Sequence, residues 1–164
     1  METFDSISKR ASVREYQSKP IPKNLLEKLI DAARRAPTAR AVEPWEFVVI
    51  TDKETLKKLG EIADTGSFIK NAAGCIAVFC KDTKYYLEDG CAATENILLV
   101  AADVGLGACW VAGDKKPYVD KVSELLGAPP GFKLVSLISL GWPKGKTEQA
   151  KSRGLRDVIH WEKF

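Results

Sequence analysis

The sequence predicts an α/β-type sandwich in which helices pack on a central sheet. Helical and strand patterns alternate along the chain, and at least three of the predicted strands are apolar on both faces, as in strands covered on both sides. A length of 164 residues, with 45% hydrophobic and 29% charged residues, is typical of one globular domain with a substantial core. The pattern leaves the direction of the strands open.

The first half of the chain contains two helical and two strand patterns. Segment 20–37 carries apolar residues on one helical face, begins with proline and ends at another proline. Segment 45–51 is β-branched and aromatic and predicts a strand, and helical spacing returns in segment 53–63. Segment 74–80 (GCIAVFC) is apolar at every position except its glycine and predicts a fully covered strand.

The second half begins with a long helix, predicted over 86–104 and closed by Gly105. A strand over 108–112, a helix over 118–127 and a strand over 133–142 follow. The long helix is apolar round most of its circumference, which indicates burial on more than one side. A second subunit could provide the additional cover, or the helix could lie at the centre of a monomer; composition favours the two equally.

Composition excludes several classes of protein. A formal net charge of +3 is too small for broad coating of a nucleic acid. The longest apolar-plus-glycine stretch, 72–80, is far shorter than the roughly 20 residues of a membrane-spanning helix. The N-terminus METFDSISKR has no hydrophobic signal region, and the four cysteines form no C-x-x-C pair. We therefore expect a cytoplasmic protein with reduced thiols and neither a nucleic-acid nor a membrane partner.

The chain also lacks the residues of the common catalytic sites. Its single histidine, His160, and its scattered cysteines form neither a zinc site nor a histidine-based triad. No G-x-x-x-x-G-K-[ST] motif is present to bind phosphate. If the protein is an enzyme, we expect a bound cofactor, with no metal, to carry the chemistry.

Two basic segments stand near opposite ends of the chain. SKRASVREY (8–16) places Arg10, Ser12 and Arg14 at alternate positions, and QAKSRGLRD (149–157) does the same with Lys151 and Arg153. In extended backbone, alternate side chains point the same way, so both segments could converge on one phosphate. Spacing alone also allows the plainer interpretation of two solvated charged surfaces.

These segments, together with others between them, resemble the nitroreductase family of FMN-dependent oxidoreductases. KRASVREY (9–16) resembles the N-terminal R-[RH]-S-[VI]-[RK]-x-[FY] motif of that family, and 32–50 resembles its A-P-[ST] and P-W-x-F-V-V-I sequences. GLGACWVAG (105–113) resembles its G-L-G-[ST]-x-W-[IV]-x-[GA] motif. LGWP (140–143), followed by K-S-R at 151–153, resembles its closing G-Y-P and K-x-R residues.

The resemblance, over about residues 4–160, implies the fold and the reaction. The implied fold is an α+β sandwich with a central mixed sheet flanked by helices, forming one domain over residues 1–164 and an intertwined homodimer with FMN sites at its interface. The implied reaction is ping-pong transfer of hydride from NAD(P)H through flavin N5 to a nitroaromatic, quinone or similar acceptor. No side chain is needed as a catalytic acid or base.

The resemblance also assigns roles to individual residues. Arg10, Lys151 and Arg153 would bind the phosphate, and Ser12 the ribityl chain or the phosphate. Arg14 would lie beside the pyrimidine edge, where a fixed positive charge stabilises the reduced flavin and raises its potential. The loop around Thr38 would touch the flavin from the other subunit, and backbone amides of 110–113 would be candidates to bond its N5 and O4. The implied cofactor contacts are Arg10, Ala11, Ser12, Arg14, Pro37, Thr38, Ala39, Ala41, Trp110, Val111, Ala112, Gly113, Lys151 and Arg153.

The chain departs from the family pattern at several positions. Ala11 replaces a cation, and Ala41 and Glu43 replace an asparagine and a glutamine. A negative Glu43 would oppose flavin reduction unless it is protonated or paired with Arg40 or another cation. The sequence also ends with VIHWEKF (158–164), without the long arm that many relatives wrap around the partner. Dehalogenation, oxidative chemistry on flavin, and a flavin-binding module without turnover therefore remain alternatives.

Overall fold

The helices and strands lie where the sequence patterns predict them. The computed structural model describes residues 2–149 and 151–164. Its helices are α1 (Thr3–Lys9), α2 (Lys23–Ala33), α3 (Lys53–Ile62), α4 (Tyr86–Asp103) and α5 (Val119–Leu126). Its strands are β1 (Trp45–Ile50), β2 (Gly74–Lys81), β3 (Gly107–Ala112) and β4 (Phe132–Gly141). Short 3-10 segments cover Ala39–Ala41, Asp64–Asn71 and Leu155–Asp157. Helix α1 and the 3-10 segments are additions to the sequence prediction.

Local chemistry explains where the helices begin and end. Asp52 begins α3, because its side chain accepts a hydrogen bond from the Thr55 amide at 2.8 Å. Helix α4 ends where Gly105 takes φ +79°, which lets the Leu106 amide reach the Ala101 carbonyl at 2.8 Å. Helix α2 is shorter than the prediction, since Pro22 stands as its N-cap and the chain turns after Ala33.

The sheet has the strand order β1-β2-β4-β3, and each neighbouring pair is antiparallel. The α+β class is confirmed. The resemblance implied a mixed sheet, whereas these four strands form antiparallel ladders only. Strands β2 and β3 run in the same direction, but they form no parallel ladder because β4 lies between them. Among the described residues, parallel pairing is limited to an isolated bridge between Ser12 and Ala108.

The core has two layers, one on each face of the sheet. Helices α2 and α4 cover one face, where residues such as Leu29, Ile97 and Ile138 are fully buried. Helices α3 and α5 and the 3-10 segment 64–71 cover the other face. Strand β2 is buried at every position from Gly74 to Cys80, in agreement with its apolar sequence. Within the described part of the chain, no helix has the length and apolar character needed to cross a bilayer.

Candidate functional site

The N-terminal basic segment crosses the end of the sheet. Arg10 caps α1, and its amide donates to the Ser6 carbonyl at 3.0 Å. The chain then runs over the start of β3 and the end of β4, where the Val13 amide donates to the Ala108 carbonyl at 2.9 Å. Val13 and Tyr16 are buried, while the neighbouring side chains of Ser12 and Arg14 are exposed. Apolar anchors therefore hold the polar side chains outward at fixed positions.

Arg10, Ser12 and Arg14, which we call the N-terminal clamp, lie close enough to the thiol of Cys109 to influence its pKa. Burial raises the pKa of this thiol, while a hydrogen bond from Ser12 and the positive charges of Arg14 and Arg10 act in the opposite direction. Arg10 has a side chain only 22% exposed, with its Nε 4.0 Å from Glu95 Oε1. Arg14 makes no ion pair within the described part of the chain and lies 5.7 Å from the centroid of the Phe68 ring. The three side chains thus lie near the start of β3, with Arg10 and Arg14 lining different cavities.

The C-terminal cations are placed less firmly. Thr147 and Arg10 line the same cavity of about 300 Å³ at the end of α4. The Gln149 side chain donates to the Ile7 carbonyl at 2.6 Å, so the chain lies beside α1 two residues before Lys151. Lys151 and Arg153 are exposed, and the guanidinium of Arg153 donates to the carbonyl of Asp157. The two basic segments therefore approach each other, while the Arg153 side chain turns toward its own segment.

The loop between α2 and β1 has an unusual backbone. Pro37 is exposed, Thr38 and Ala39 are half-buried, and Arg40 and Ala41 take φ values of +58° and +53°. Each left-handed non-glycine residue costs roughly 1–2 kcal/mol, so outside contacts must hold the loop. Asp89 on α4 supplies them, since it accepts hydrogen bonds from the Thr38 hydroxyl at 2.9 Å and the Ala39 amide at 3.0 Å.

Glu43 and Arg40 are both exposed, and no ion pair joins their side chains among the described residues. Glu43 has a φ of +48°, and its amide donates to the Thr38 hydroxyl at 3.0 Å. The backbone of Glu43 therefore belongs to the support of the loop.

The edge of β3 offers backbone donors. The Gly113 amide donates to the Val135 carbonyl at 3.1 Å and is not free for a ligand. Antiparallel pairing alternates, so the amides of Trp110 and Ala112 point away from β4 toward the open edge, while that of Val111 points into the ladder. Of the four amides predicted as donors in 110–113, only those of Trp110 and Ala112 therefore remain available to a ligand. The Tyr118 hydroxyl holds the end of the strand through the Ala112 carbonyl.

The donors present fit a flavin mononucleotide. A phosphate monoester needs charged and hydroxyl donors, which the N-terminal clamp provides. A flavin ring needs a flat surface and a few amide donors, and the open edge of β3 offers the amides of Trp110 and Ala112. Val111, in contrast, offers no donor, because its side chain is buried in the core layer under α3 and α5 and its amide points into the ladder with β4.

Sequence reasoning missed three residues that shape the site: Asp89, Phe68 and Tyr118. A signal for Asp89 was available, because it stands four and eight residues before Ala93 and Ile97 on one stripe of α4. All three of these α4 residues are buried. A carboxylate on an otherwise apolar stripe indicates a buried polar partner.

Comparison with known proteins agrees with the geometry. The model of the nitroreductase family matches residues 7–84 and 80–142. An Archaeoglobus fulgidus protein named "Putative NADH dehydrogenase/NAD(P)H nitroreductase" is 36% identical over 173 residues, which cover 99% of each chain. Iodotyrosine deiodinase 1 of Rattus norvegicus is 38% identical over 195 residues, with 96% of this chain and 68% of that protein covered.

A solved structure leads to the same assignment. The FMN-dependent nitroreductase of Clostridium difficile R20291 superposes with a TM-score of 0.91 at 30% identity, covering 98% of this chain and 99% of the other. The family model and the full-length relatives together establish that this chain is a member of the nitroreductase family.

Proposed function

We propose that the chain is a single FMN-binding domain that passes hydride from NAD(P)H to a nitroaromatic, quinone or similar acceptor by a ping-pong mechanism. The observation that carries the proposal is the course of the N-terminal segment, which the bond from the Val13 amide to the Ala108 carbonyl holds across β3, with Arg10, Ser12 and Arg14 near Cys109. The names of two relatives support it, since one is an FMN-dependent nitroreductase and the other carries NAD(P)H nitroreductase in its name.

The chain's own residues would bind and orient the cofactor. Arg10 and Ser12 would bind the phosphate, with Lys151 and Arg153 closing over it when the ligand is present. Arg14 would lie beside the pyrimidine edge, where its charge favours the reduced form. When bound, FMN supplies a centre that accepts and returns hydride, so no side-chain acid or base is required. The proposed role of the protein is to bind and orient FMN and to place positive charge beside it.

The proposed acting form is an intertwined homodimer with the sites at its interface. Exposed apolar side chains support it, since Phe4 on α1 is 77% exposed and Trp161 near the C-terminus is 80% exposed. Strand β1 is an edge strand, and its Val49 is 41% exposed. Large apolar groups at a strand edge and on a terminal segment are typical of surfaces that a second copy covers.

Substituting Leu155 and Trp161 together by serine tests the homodimer. We expect the variant to sediment as a monomer and to lose FMN, while wild type sediments as a dimer. The same double change at the exposed Lys57 and Lys121 is the control and leaves the dimer intact. A wild-type monomer that binds FMN would contradict the proposal.

The main experiment is the visible spectrum of the purified protein under anaerobic conditions, before and after NADH or NADPH. We expect a yellow protein whose absorbance near 450 nm falls on addition of at least one nicotinamide and returns when a quinone is added. A colourless protein that takes up no added FMN overturns the proposal. Bound FMN without NAD(P)H oxidation supports the module without turnover. We also propose a cytoplasmic location, in keeping with four free cysteines.

A second candidate is reductive dehalogenation at the same site. The 38% identity to iodotyrosine deiodinase 1 supports it. The discriminating measurement compares an iodinated phenol with a nitroaromatic as acceptor for the reduced protein. Iodide release faster than nitroaromatic reduction favours the second candidate.

A further inference from the structure

Asp89 is a buried carboxylate that the proposed chemistry does not use. It lies in the first turn of α4 with only 5% of its surface exposed. Its Oδ2 accepts the Thr38 hydroxyl at 2.9 Å and its Oδ1 accepts the Ala39 amide at 3.0 Å. Both oxygens therefore serve the loop before β1, although Asp89 is fifty or more residues away in sequence.

Thr38 extends this support to the far end of the loop. While its hydroxyl donates to Asp89, the same oxygen accepts the Glu43 amide at 3.0 Å. The bond spans Arg40 and Ala41, which both have left-handed backbone, and Glu43 is itself left-handed. A backbone with three such residues persists only where surrounding contacts determine it. Two hydrogen bonds to the Asp89 carboxylate and a third from the Glu43 amide to the Thr38 hydroxyl hold the loop in this conformation.

We propose that Asp89 is a positioning residue that orders the loop 38–43 before the flavin binds. The inference rests on the proposed function and on the family resemblance, by which the loop with Thr38, Ala39 and Ala41 would touch the cofactor from the other subunit. A loop already ordered loses less conformational entropy on binding, so its contacts contribute more of their energy to affinity. A carboxylate suits the task because both of its oxygens accept, whereas an amide offers only one acceptor.

Asp89→Asn tests the inference, since it keeps the shape of the side chain and removes one acceptor. We expect the Kd for FMN to rise about tenfold, as for loss of one hydrogen bond to a charged group. Without FMN, the amides of Ala39 and Glu43 should exchange hydrogen faster than in wild type. Glu88→Gln is the matched control, an exposed carboxylate one residue earlier on the same helix, and should leave both values unchanged.

A second pair of variants covers the case in which Asp89→Asn does not fold. Thr38→Val removes the hydroxyl and should reproduce the weaker FMN binding and the faster exchange at Glu43. Thr38→Ser keeps the hydroxyl and should restore both. Equal FMN affinity for the valine and serine variants would overturn the inference.

The outcomes separate the inference from the proposed function. Wild type that takes up no FMN overturns the proposed function, and the inference with it. Wild type that binds FMN, with an Asp89→Asn variant of the same affinity and faster amide exchange, overturns the inference alone. In that case Asp89 stabilises the loop without serving the ligand.

Discussion

The two basic segments have similar spacing in the sequence, but the fold holds them differently. The N-terminal segment 10–17 is fixed by buried Val13 and Tyr16 and by backbone bonds to β3 and to Trp142. The C-terminal segment 151–164 is exposed at every position, and its described contacts are internal, such as Gly154 with Asp157. Spacing thus predicts which side chains could share a ligand, whereas apolar anchors decide which are fixed before it arrives.

This difference has an energetic consequence for binding. Ordering the backbone of one residue costs roughly 1–2 kcal/mol in conformational entropy, and a long cationic side chain adds up to about 2 kcal/mol. The backbone of the N-terminal clamp is already ordered in the folded chain, whereas the C-terminal segment would lose its conformational entropy on binding. We therefore expect an N-terminal cation to contribute more affinity than a C-terminal one.

The largest effect is expected from a variant that displaces the N-terminal segment without changing a charge. A Cβ added at Gly141 would lie 2.6 Å from Cδ1 of Tyr16 and 2.8 Å from its Cγ, so Gly141→Ala pushes Tyr16 off the sheet. We expect the free energy of unfolding to fall by about 3 kcal/mol and FMN binding to weaken with it. Urea unfolding and fluorescence titration with FMN measure the two effects. Gly145→Ala is the control, because nothing lies within 4 Å of its Cβ, and equal stability of the two variants would contradict the anchoring role.

The next effect compares the two segments directly. We expect Arg10→Ala to raise the Kd for FMN about 30-fold and Arg153→Ala about threefold, because Arg10 is held in place before binding. Riboflavin, which lacks the phosphate, should bind both variants nearly as well as wild type. Titration of FMN and riboflavin at two salt concentrations checks the prediction. Equal losses for the two arginines would show that ordering before binding does not matter here.

Much of the fold could be predicted because its signals are local. Strand β2 is apolar throughout, and α3 and α5 show apolar residues at helical spacing between turn-forming residues. Helix α1 escaped prediction because its seven residues, TFDSISK, carry only two apolar side chains and bury only Ser6. It lies against α4, and such tertiary packing leaves no mark in a short sequence.

The candidate site likewise has features that depend on adjacent residues and features that depend on distant ones. Alternation in extended backbone predicts that Arg10, Ser12 and Arg14 share a side of the segment, since it depends only on adjacent residues; their joint binding of one ligand stays a prediction. The support of the 38–43 loop by Asp89 could not be predicted, because it joins segments fifty residues apart and depends on the packing of α4. The sequence likewise could not indicate that the Arg153 side chain turns to Asp157, a choice between two solvated arrangements of similar energy.

A smaller effect separates charge from anchoring within the N-terminal segment. We expect Arg14→Ala to lower the two-electron potential of bound FMN by about 30 mV, equivalent to about 1.4 kcal/mol, and to slow its reduction by NAD(P)H. Arg14→Lys keeps the charge and should retain most of the potential. Spectroelectrochemical titration provides the measurement. Unchanged potential and turnover in the alanine variant would refute the role of Arg14.

The smallest effect is expected from Tyr16→Phe, which removes the hydroxyl of one of the two buried side chains that anchor the N-terminal segment. The Tyr16 hydroxyl donates to the Val13 carbonyl at 2.5 Å and lies 2.6 Å from Ser139 Oγ, so its loss should cost about 1 kcal/mol at neutral pH. Burial raises the pKa of Tyr16 above its ordinary value, so the folded state keeps the proton after the unfolded chain has released it.

The contribution of Tyr16 is therefore complete below about pH 10 and is lost as the pH rises beyond it, by about 1.4 kcal/mol per pH unit. Cys75, whose pKa burial raises to about 12, adds the same dependence to both proteins and cancels in their difference. Unfolding free energies measured between pH 8 and about pH 11 should thus converge within roughly one pH unit above pH 10. Parallel curves would mean that the hydroxyl ionises as readily in the folded state as in the unfolded chain, and that Tyr16 holds the N-terminal segment by its ring alone.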